Sequence, residues 1–187
     1  MVKKKTCVFI SGNGSNLKNL IYHSRNNNFP IKISLVICNN QKANGIKYAK
    51  KYKIPYILIN TKLHNYENKI VTNLRKYKIS FICLAGYMKI ISNKLIKNYP
   101  KKIINIHPSL LPKFKGLNTF SRMLKNKEKK GGCTVHYVNK ELDSGSTIVK
   151  KSFFIGSKDN ESILKKKTQI LEYRAFPEAI VKIFRNI

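Results

Sequence analysis

Thr6-Cys7-Val8-Phe9-Ile10-Ser11-Gly12-Asn13-Gly14-Ser15-Asn16-Leu17 runs from an apolar stretch through a glycine loop into a helical pattern that continues at Leu20 and Ile21. That is strand, loop, helix. Working outward, Ile31 to Cys38 reads as a second strand, Ala43 to Tyr52 as a helix, Tyr56 to Ile59 as a third strand and Tyr66 to Tyr77 as another helix. Phe81 to Ala85 and Ile103 to Ile106 are two more buried strands, separated by a short helix around Ser92 to Asn98. The alternation predicts an α/β fold, doubly wound on a mostly parallel sheet. After Pro112 the pattern changes. A basic segment reaches Lys130, a glycine-led strand runs from Cys133 to Val138, a turn passes through Asp143-Ser144-Gly145, and a strand covers Thr147 to Phe154. This portion is expected to be antiparallel. Asn160 to Phe184 reads as one long terminal helix, which Pro177 should kink or divide.

A chain of 187 residues can form one domain that buries about 70% of its unfolded surface, and a single domain over 1–187 is expected. No apolar run approaches the roughly 18 residues of a membrane span, and Met1-Val2-Lys3-Lys4-Lys5 precedes a strand without a small-residue cleavage pattern. A cytoplasmic protein with no membrane partner is expected. Lys and Arg number 38 against 8 Asp and Glu, a formal net charge of +30. Such a balance raises nucleic acid as a partner. Yet the charge is nearly all Lys, scattered with Asn and Ile over helix faces and loops, whereas phosphate and base recognition also leans on Arg. Lys, Asn and Ile have A/T-rich codons, so genomic base bias accounts for them, and runs such as Lys165-Lys166-Lys167 read as solvated helix faces. Nucleic acid is the less favoured partner; anionic small-molecule substrates would profit from the field. Cys7, Cys38, Cys83 and Cys133 are widely spaced, with no C-x-x-C pair and no His at zinc spacing, so neither a disulfide framework nor a metal site is expected.

Ligands of open α/β sheets bind beyond the carboxyl ends of the strands. Three loops leave such ends: Ser11 to Asn16, Gly86-Tyr87-Met88-Lys89, and His107 to Pro112. If the first strand neighbours the fourth, they line one crevice. Within Ile103-Ile104-Asn105-Ile106-His107-Pro108, Asn105 and His107 are two apart and share a strand face, and Pro108 should end the strand. A carboxamide and an imidazole so placed can hold a developing oxyanion and move a proton. The alternative is a buried Asn satisfied by backbone beside an incidental His. Asp143, with Asp159 the only other aspartate, either favours a protonated imidazole nearby or holds its loop as an Asx-turn. His136 reads as a satisfied sheet residue, and His23 and His64 as surface or loop residues. The first loop offers N–H groups at a helix N-terminus, as a phosphate requires. Leu17 stands where a dinucleotide fingerprint has its third Gly, and no Gly-Lys-Ser/Thr ending follows, so a single phosphate monoester suits the loop best. A plain tight turn capped by Ser15 or Asn16 is the alternative.

Four segments, taken in this order and spacing, resemble the folate-dependent phosphoribosylglycinamide formyltransferases. They are Ile10-Ser11-Gly12-Asn13-Gly14-Ser15-Asn16-Leu17, Leu84-Ala85-Gly86-Tyr87-Met88, Asn105-Ile106-His107-Pro108-Ser109-Leu110-Leu111-Pro112 and Glu141-Leu142-Asp143-Ser144-Gly145. The third, with the later Asp, is shared by other formyltransferases; the Gly-Asn-Gly-Ser-Asn loop is the more discriminating. The resemblance implies the formyltransferase fold and transfer of a formyl group from 10-formyltetrahydrofolate to the glycinamide amine, with no metal. It implies Asn105, His107 and Asp143 as catalytic residues, His107 being protonated and Asp143 raising its pKa. It further implies that Gly14, Ser15, Asn16, Leu17 and Lys18 hold the substrate phosphate and ribose, with Glu172 at the glycinamide end. The folate would meet Met88, Lys89, Ile90 and Ile91 and the loop Asn139, Lys140, Glu141, Leu142 and Asp143. The chain departs from the family in three places. Leu63 or His64 stands where a folate-contacting Arg is common, Phe120 where many members have His, and with its end at Ile187 the sequence is expected to lack terminal strands. Either a monomer or a homodimer is expected. A related formyltransferase or hydrolase with another acceptor, and a basic nucleic-acid-binding module on this scaffold, are the competing readings.

Overall fold

Apolar runs become strands almost where the pattern places them. The computed structural model describes residues 2–185. Its elements in chain order are β1 (Lys4–Ile10), α1 (Ser15–Ser24), β2 (Ile31–Cys38), α2 (Ile46–Lys51), β3 (Tyr56–Leu58), α3 (Tyr66–Lys76), β4 (Phe81–Leu84), α4 (Asn93–Asn98), β5 (Ile103–His107), α5 (Thr119–Lys125), β6 (Lys130–Tyr137), β7 (Thr147–Phe154) and α6 (Glu161–Arg185). The strands follow the order β3-β2-β1-β4-β5-β6-β7, mostly parallel with an antiparallel C-terminal pair. Two compact units divide within β5, Met1–Ile104 and Asn105–Ile187.

In the first unit β1 pairs in parallel with β2 and β4, and β2 with β3. Parallel neighbours need crossovers, and α1, α2 and α3 supply them. Every residue of β4 and the last four of β2 are buried, as expected of strands covered on both faces. Phe9, Leu17, Leu20, Leu35, Ile37 and Leu74 are fully buried around them. Cys7, Cys38 and Cys83 are free and buried in these strands. Burial pushes their thiols up, so they pack as small hydrophobes. Helix α2 starts at Ile46 rather than at Ala43. Asn40 takes the chain first, its Oδ1 accepting from Lys42 N at 3.0 Å and its carbonyl from Ala43 N at 3.1 Å.

In the second unit β6 and β7 form an antiparallel pair, α6 packs on both, and α5 packs on α6. Strand β6 begins at Lys130, earlier than expected. Gly131 and Gly132 lie opposite Phe153 and Ser152, and a Cβ on Gly132 would meet the Lys151 carbonyl and Leu110. The glycines are what the close approach of β7 demands. Within the basic segment the structure adds helix α5, an element not assigned from sequence. Phe120, Met123 and Leu124, at helical spacing, pack with Phe114 and Leu164, a stripe that the intervening cations obscure. Phe120, in the place where His is common, is thus a packing residue. Helix α6 corrects an expectation: it runs through Pro177 undivided. Phe176, Pro177, Ala179 and Ile180 are all buried, and that burial offsets the lost hydrogen bond. Among the described residues no helix is long and apolar enough to cross a membrane.

Candidate active site

Strand β5 does present Asn105 and His107 on one face, because both reach the same carboxylate. Asn105 Nδ2 donates to Asp143 Oδ1 at 3.3 Å, and His107 Nδ1 lies 3.2 Å from Asp143 Oδ2. The loop between β6 and β7 delivers Asp143 with φ 48, a left-handed backbone that Asp tolerates better than most residues. Gly116 N–H donates to Oδ2 at 2.9 Å. The His107 and Asp143 side chains are each 6% exposed, so this is a buried charge site with every oxygen engaged.

His136, read from sequence as a satisfied sheet residue, belongs to the cluster. Its Nδ1 lies 2.8 Å from the Tyr137 carbonyl, and its Nε2 lies 3.3 Å from Asn105 Nδ2 and 3.6 Å from Asp143 Oδ1. A carbonyl only accepts, so Nδ1 carries a proton. Asp143 Oδ1 and His136 Nε2 together fix the Asn105 amide. The signal available in sequence was position alone: His136 lies next to the end of the strand that leads to the Asp143 loop.

The same logic puts a proton on His107 Nε2, which meets the Phe114 carbonyl at 2.8 Å. Burial pushes His107 below the usual imidazole range, more than the Phe114 carbonyl and Asp143 raise it. Asp143 acts upward on His107, as expected, but desolvation outweighs it. Burial would raise Asp143, yet its hydrogen-bonding neighbours, His136 and Gly116 N–H first among them, outweigh that and hold the carboxyl below the ordinary carboxylate range. The resting site is a carboxylate beside a neutral ring. Protonation at Nδ1 would turn the 3.2 Å contact into a charge-assisted hydrogen bond.

Both shifts bear on acid stability with one sign. A folded His107 pKa below 6.5 means the unfolded chain binds more protons, so stability drops as pH falls below about 6.5. Asp143, with a folded pKa below 3.8, contributes stability above that value and loses it as pH falls through the folded pKa. Urea unfolding between pH 8 and 3 is expected to show a monotonic loss, with His23, also lowered by burial, adding to the first step. A rise in stability from pH 7 to 5 would show instead that His107 is held as a cation.

In the first unit, the loop after β1 is held from below. Gly14 N-caps α1 with φ 70 and no side-chain cap, so the expected alternative of Ser15 or Asn16 capping does not occur. A Cβ on Gly14 would lie 2.5 Å from Gly45 Cα, and Gly45 N donates to Gly12 O at 3.0 Å. Two glycine backbones in contact leave no room for side chains there. Ser11 Oγ donates to Asn39 Oδ1 at 2.6 Å and accepts from Met88 N at 2.8 Å, tying this loop to the one after β4. The crevice expected between neighbouring β1 and β4 thus has both loops bonded together. Asn39 and Gly45 were not singled out from sequence; Asn39-Asn40 directly after Cys38 was the only cue. Lys18 and, unforeseen, Lys47 have their ammonium groups 5.9 and 5.3 Å from the Tyr48 ring centre, bringing two cations to this loop.

Met88, Lys89 and Ile90 are exposed, whereas Ile91 is buried and packs inward. In the second unit Asn139, Lys140, Glu141 and Leu142 are exposed, Asn139 Oδ1 accepting from Glu141 N at 3.1 Å. Glu172 lies half-buried on α6; burial pushes the Cys133 thiol up, and the Glu172 charge adds to it. His64 and Leu63 are exposed. Among the described residues no group of three or more His, Cys, Asp or Glu side chains could hold a metal ion.

The formyl transferase family profile matches residues 4–180. The chain is 35% identical over 186 residues to a phosphoribosylglycinamide formyltransferase of Bacillus subtilis (strain 168), covering 96% of this chain and 94% of that protein. It is 37% identical over 183 residues to the enzyme of that name from Haemophilus influenzae, covering 95% and 85%. The crystal structure of phosphoribosylglycinamide formyltransferase from Anaplasma phagocytophilum superposes with a TM-score of 0.92 at 36% identity, covering 99% of this chain and 89% of that one.

Proposed function

The chain belongs to the formyl transferase family, and we propose that residues 1–187 act as one formyltransferase domain whose chemistry runs through Asn105, His107 and Asp143. The enzyme transfers a formyl group from 10-formyltetrahydrofolate to the amine of 5'-phosphoribosylglycinamide, a step of de novo purine biosynthesis. The observation that carries the residue assignment is the convergence of Asn105 and His107 on one buried carboxylate.

The neutral glycinamide amine attacks the formyl carbon of the folate, forming the new C–N bond while the carbonyl oxygen takes the negative charge. Asn105 Nδ2 and His107 donate to that oxygen, exchanging contacts they make in the free protein. A neutral His107 can take the proton that the attacking nitrogen sheds, and Asp143 stabilises the imidazolium so formed. The proton then passes, through water that Asp143 organises, to the folate nitrogen as its bond to the formyl carbon breaks. Formylated ribonucleotide and tetrahydrofolate leave.

Gly14, Ser15, Asn16, Leu17 and Lys18 are assigned to the phosphate and ribose, supported by the uncapped helix start. Exposed Met88, Ile90 and Leu142 offer apolar surface for the pterin, and exposed Lys89 a charge for its acidic tail. Both substrates are anionic, and the net charge of +30 favours their approach. Buried free thiols fit a reducing compartment, and we place the enzyme in the cytoplasm.

Purified enzyme with both substrates should produce tetrahydrofolate and formylated ribonucleotide in equal amounts; absence of transfer would overturn this reading. In the same assay Lys18→Gln should raise the KM for the ribonucleotide about tenfold, with kcat and the folate KM nearly unchanged. An unaltered ribonucleotide KM would remove Lys18 from the phosphate site.

A further inference from the structure

At the amino-terminal edge of the first unit's sheet, where β1 and β2 begin and α2 and α3 end, the structure holds an open cavity of about 1030 Å³. Among the described residues its lining includes Lys5, Lys32, Lys51, Lys53, Lys76 and Lys78 and no carboxylate. Glu67 is the only acidic residue before Glu128, so the first unit has almost nothing with which to neutralise them. We propose that this cavity is a binding site for a linear polyphosphate anion of three or more phosphates.

Scattered lysines are what this composition would produce anyway, so the arrangement has to carry the inference. Lys5 and Lys32 are partners in the parallel β1 and β2 register, and two like charges held side by side repel. Both are exposed and both line the cavity. The tetrapeptide Lys-Tyr-Lys-Ile occurs twice, at 51–54 and 76–79, closing α2 and α3 in the same manner. In each copy the second lysine adopts a left-handed backbone, φ 52 at Lys53 and φ 53 at Lys78, a turn that Lys101 and Lys127 share elsewhere; what sets the two copies apart is that both deliver their lysines to this one cavity. The helix dipole accounts for cations in the last turns of α2 and α3. It does not account for Lys5 and Lys32, which lie on strands.

The geometry also selects the ligand. The strand order β3-β2-β1-β4 sets Lys53 ahead of β3, Lys32 and Lys5 on the central pair, and Lys78 ahead of β4. Three interstrand steps make a row of about 14 Å. A single tetrahedral phosphate meets only neighbours in such a row, whereas a chain of phosphates follows it. Arg25 and Lys51 lie over the Tyr52 ring at 5.8 and 5.9 Å, so cations already occupy the aromatic face that a base would need. With no carboxylate to share a divalent ion, the anion binds free of metal, and excess Mg²⁺ should weaken binding by sequestering it.

Calorimetric titration of the full chain at constant ionic strength tests this, with orthophosphate, tripolyphosphate, ATP and long-chain polyphosphate as ligands. Tripolyphosphate and longer chains should bind at least about tenfold more tightly than orthophosphate. Binding by ATP as tight as by tripolyphosphate would point to a nucleoside triphosphate as the source, weaker binding to an inorganic chain, and either supports the site. The variant K5Q/K32Q/K53Q/K78Q should lose about tenfold or more in affinity. K97Q/K125Q/K165Q/K166Q, which removes equal charge from exposed positions elsewhere, should stay within about twofold. Formyl transfer should be retained by both variants, which serves as the check of folding. Equal losses in the two variants would reduce the effect to net charge and overturn the proposal, as would orthophosphate binding as tightly as the chains. Tighter binding of a single-stranded RNA oligomer in the same titration would overturn it in favour of nucleic acid.

Discussion

Asp143→Asn is expected to fold and to lose about 10³- to 10⁴-fold in kcat. The substitution preserves shape and removes a charge on which four groups depend. Gly116 N–H and His107 Nδ1 face Oδ2, while Asn105 Nδ2 and His136 Nε2 face Oδ1. Whichever way the new amide turns, its NH₂ meets a donor, Gly116 N–H on one side or Asn105 Nδ2 on the other. That conflict should cost about 1–3 kcal/mol of stability. The larger consequence is chemical. A carboxylate held below its ordinary range is the counter-charge for an imidazolium at His107, and an amide supplies none. Because that charge matters after the amine attacks, the ribonucleotide KM should stay within a few-fold while kcat collapses. Asp143 also raises the His107 pKa, so in the variant the ring should titrate lower still, as followed by imidazole NMR signals. Activity within about threefold of the parent would remove Asp143 from the mechanism. A lost kcat with an unmoved His107 titration would show that it acts some other way.

The contrast between the two halves of the chain explains what could be read in advance. Strand β2 was legible to the residue, Ile31–Cys38, because a strand buried on both faces is written as continuous apolar sequence. Strand β5 was legible because Pro108 ends it and because the period of two fixes Asn105 and His107 on one face. Asp143 could be nominated but not joined to them. It arrives 38 positions after Asn105, and no local rule specifies which strand end a hairpin loop will reach. His136 is the satisfied sheet residue the sequence suggests, buried with Nδ1 on the Tyr137 carbonyl; that its far nitrogen meets Asn105 was not legible, because a buried imidazole in a strand looks the same whichever partner it finds. Helix α5 escaped notice because Arg122 and Lys125 interrupt its apolar stripe, and Pro177 misled because propensity carries no knowledge of how deeply α6 is buried. The protonation state of His107 was beyond reach altogether. The neighbouring Asp143 argued for a cation, and only the burial of the ring shows that desolvation outweighs it.

His107→Ala should reduce kcat by about 10³-fold or more, with little change in either KM. The ring occupies two relationships at once: Nε2 to the Phe114 carbonyl at 2.8 Å and Nδ1 to Asp143 at 3.2 Å. Removing it therefore takes away a proton acceptor and also the anchor of the segment from Phe114 to Gly116, whose N–H holds Asp143. A loss in His107→Ala alone could come from either. His107→Gln separates them, because its amide N–H can still serve the Phe114 carbonyl while it cannot accept a proton near neutral pH. If the ring carries the proton, His107→Gln should recover thermal stability toward the parent and remain as inactive as His107→Ala. Recovery of turnover in His107→Gln would reduce His107 to a support for the loop and shift the proton transfer to Asp143 and solvent. The acid titration gives a second reading of the same variant. A ring held neutral by burial destabilises the native state as the pH falls below about 6.5, so His107→Gln should flatten that part of the curve and leave the Asp143 step below about 3.8 in place.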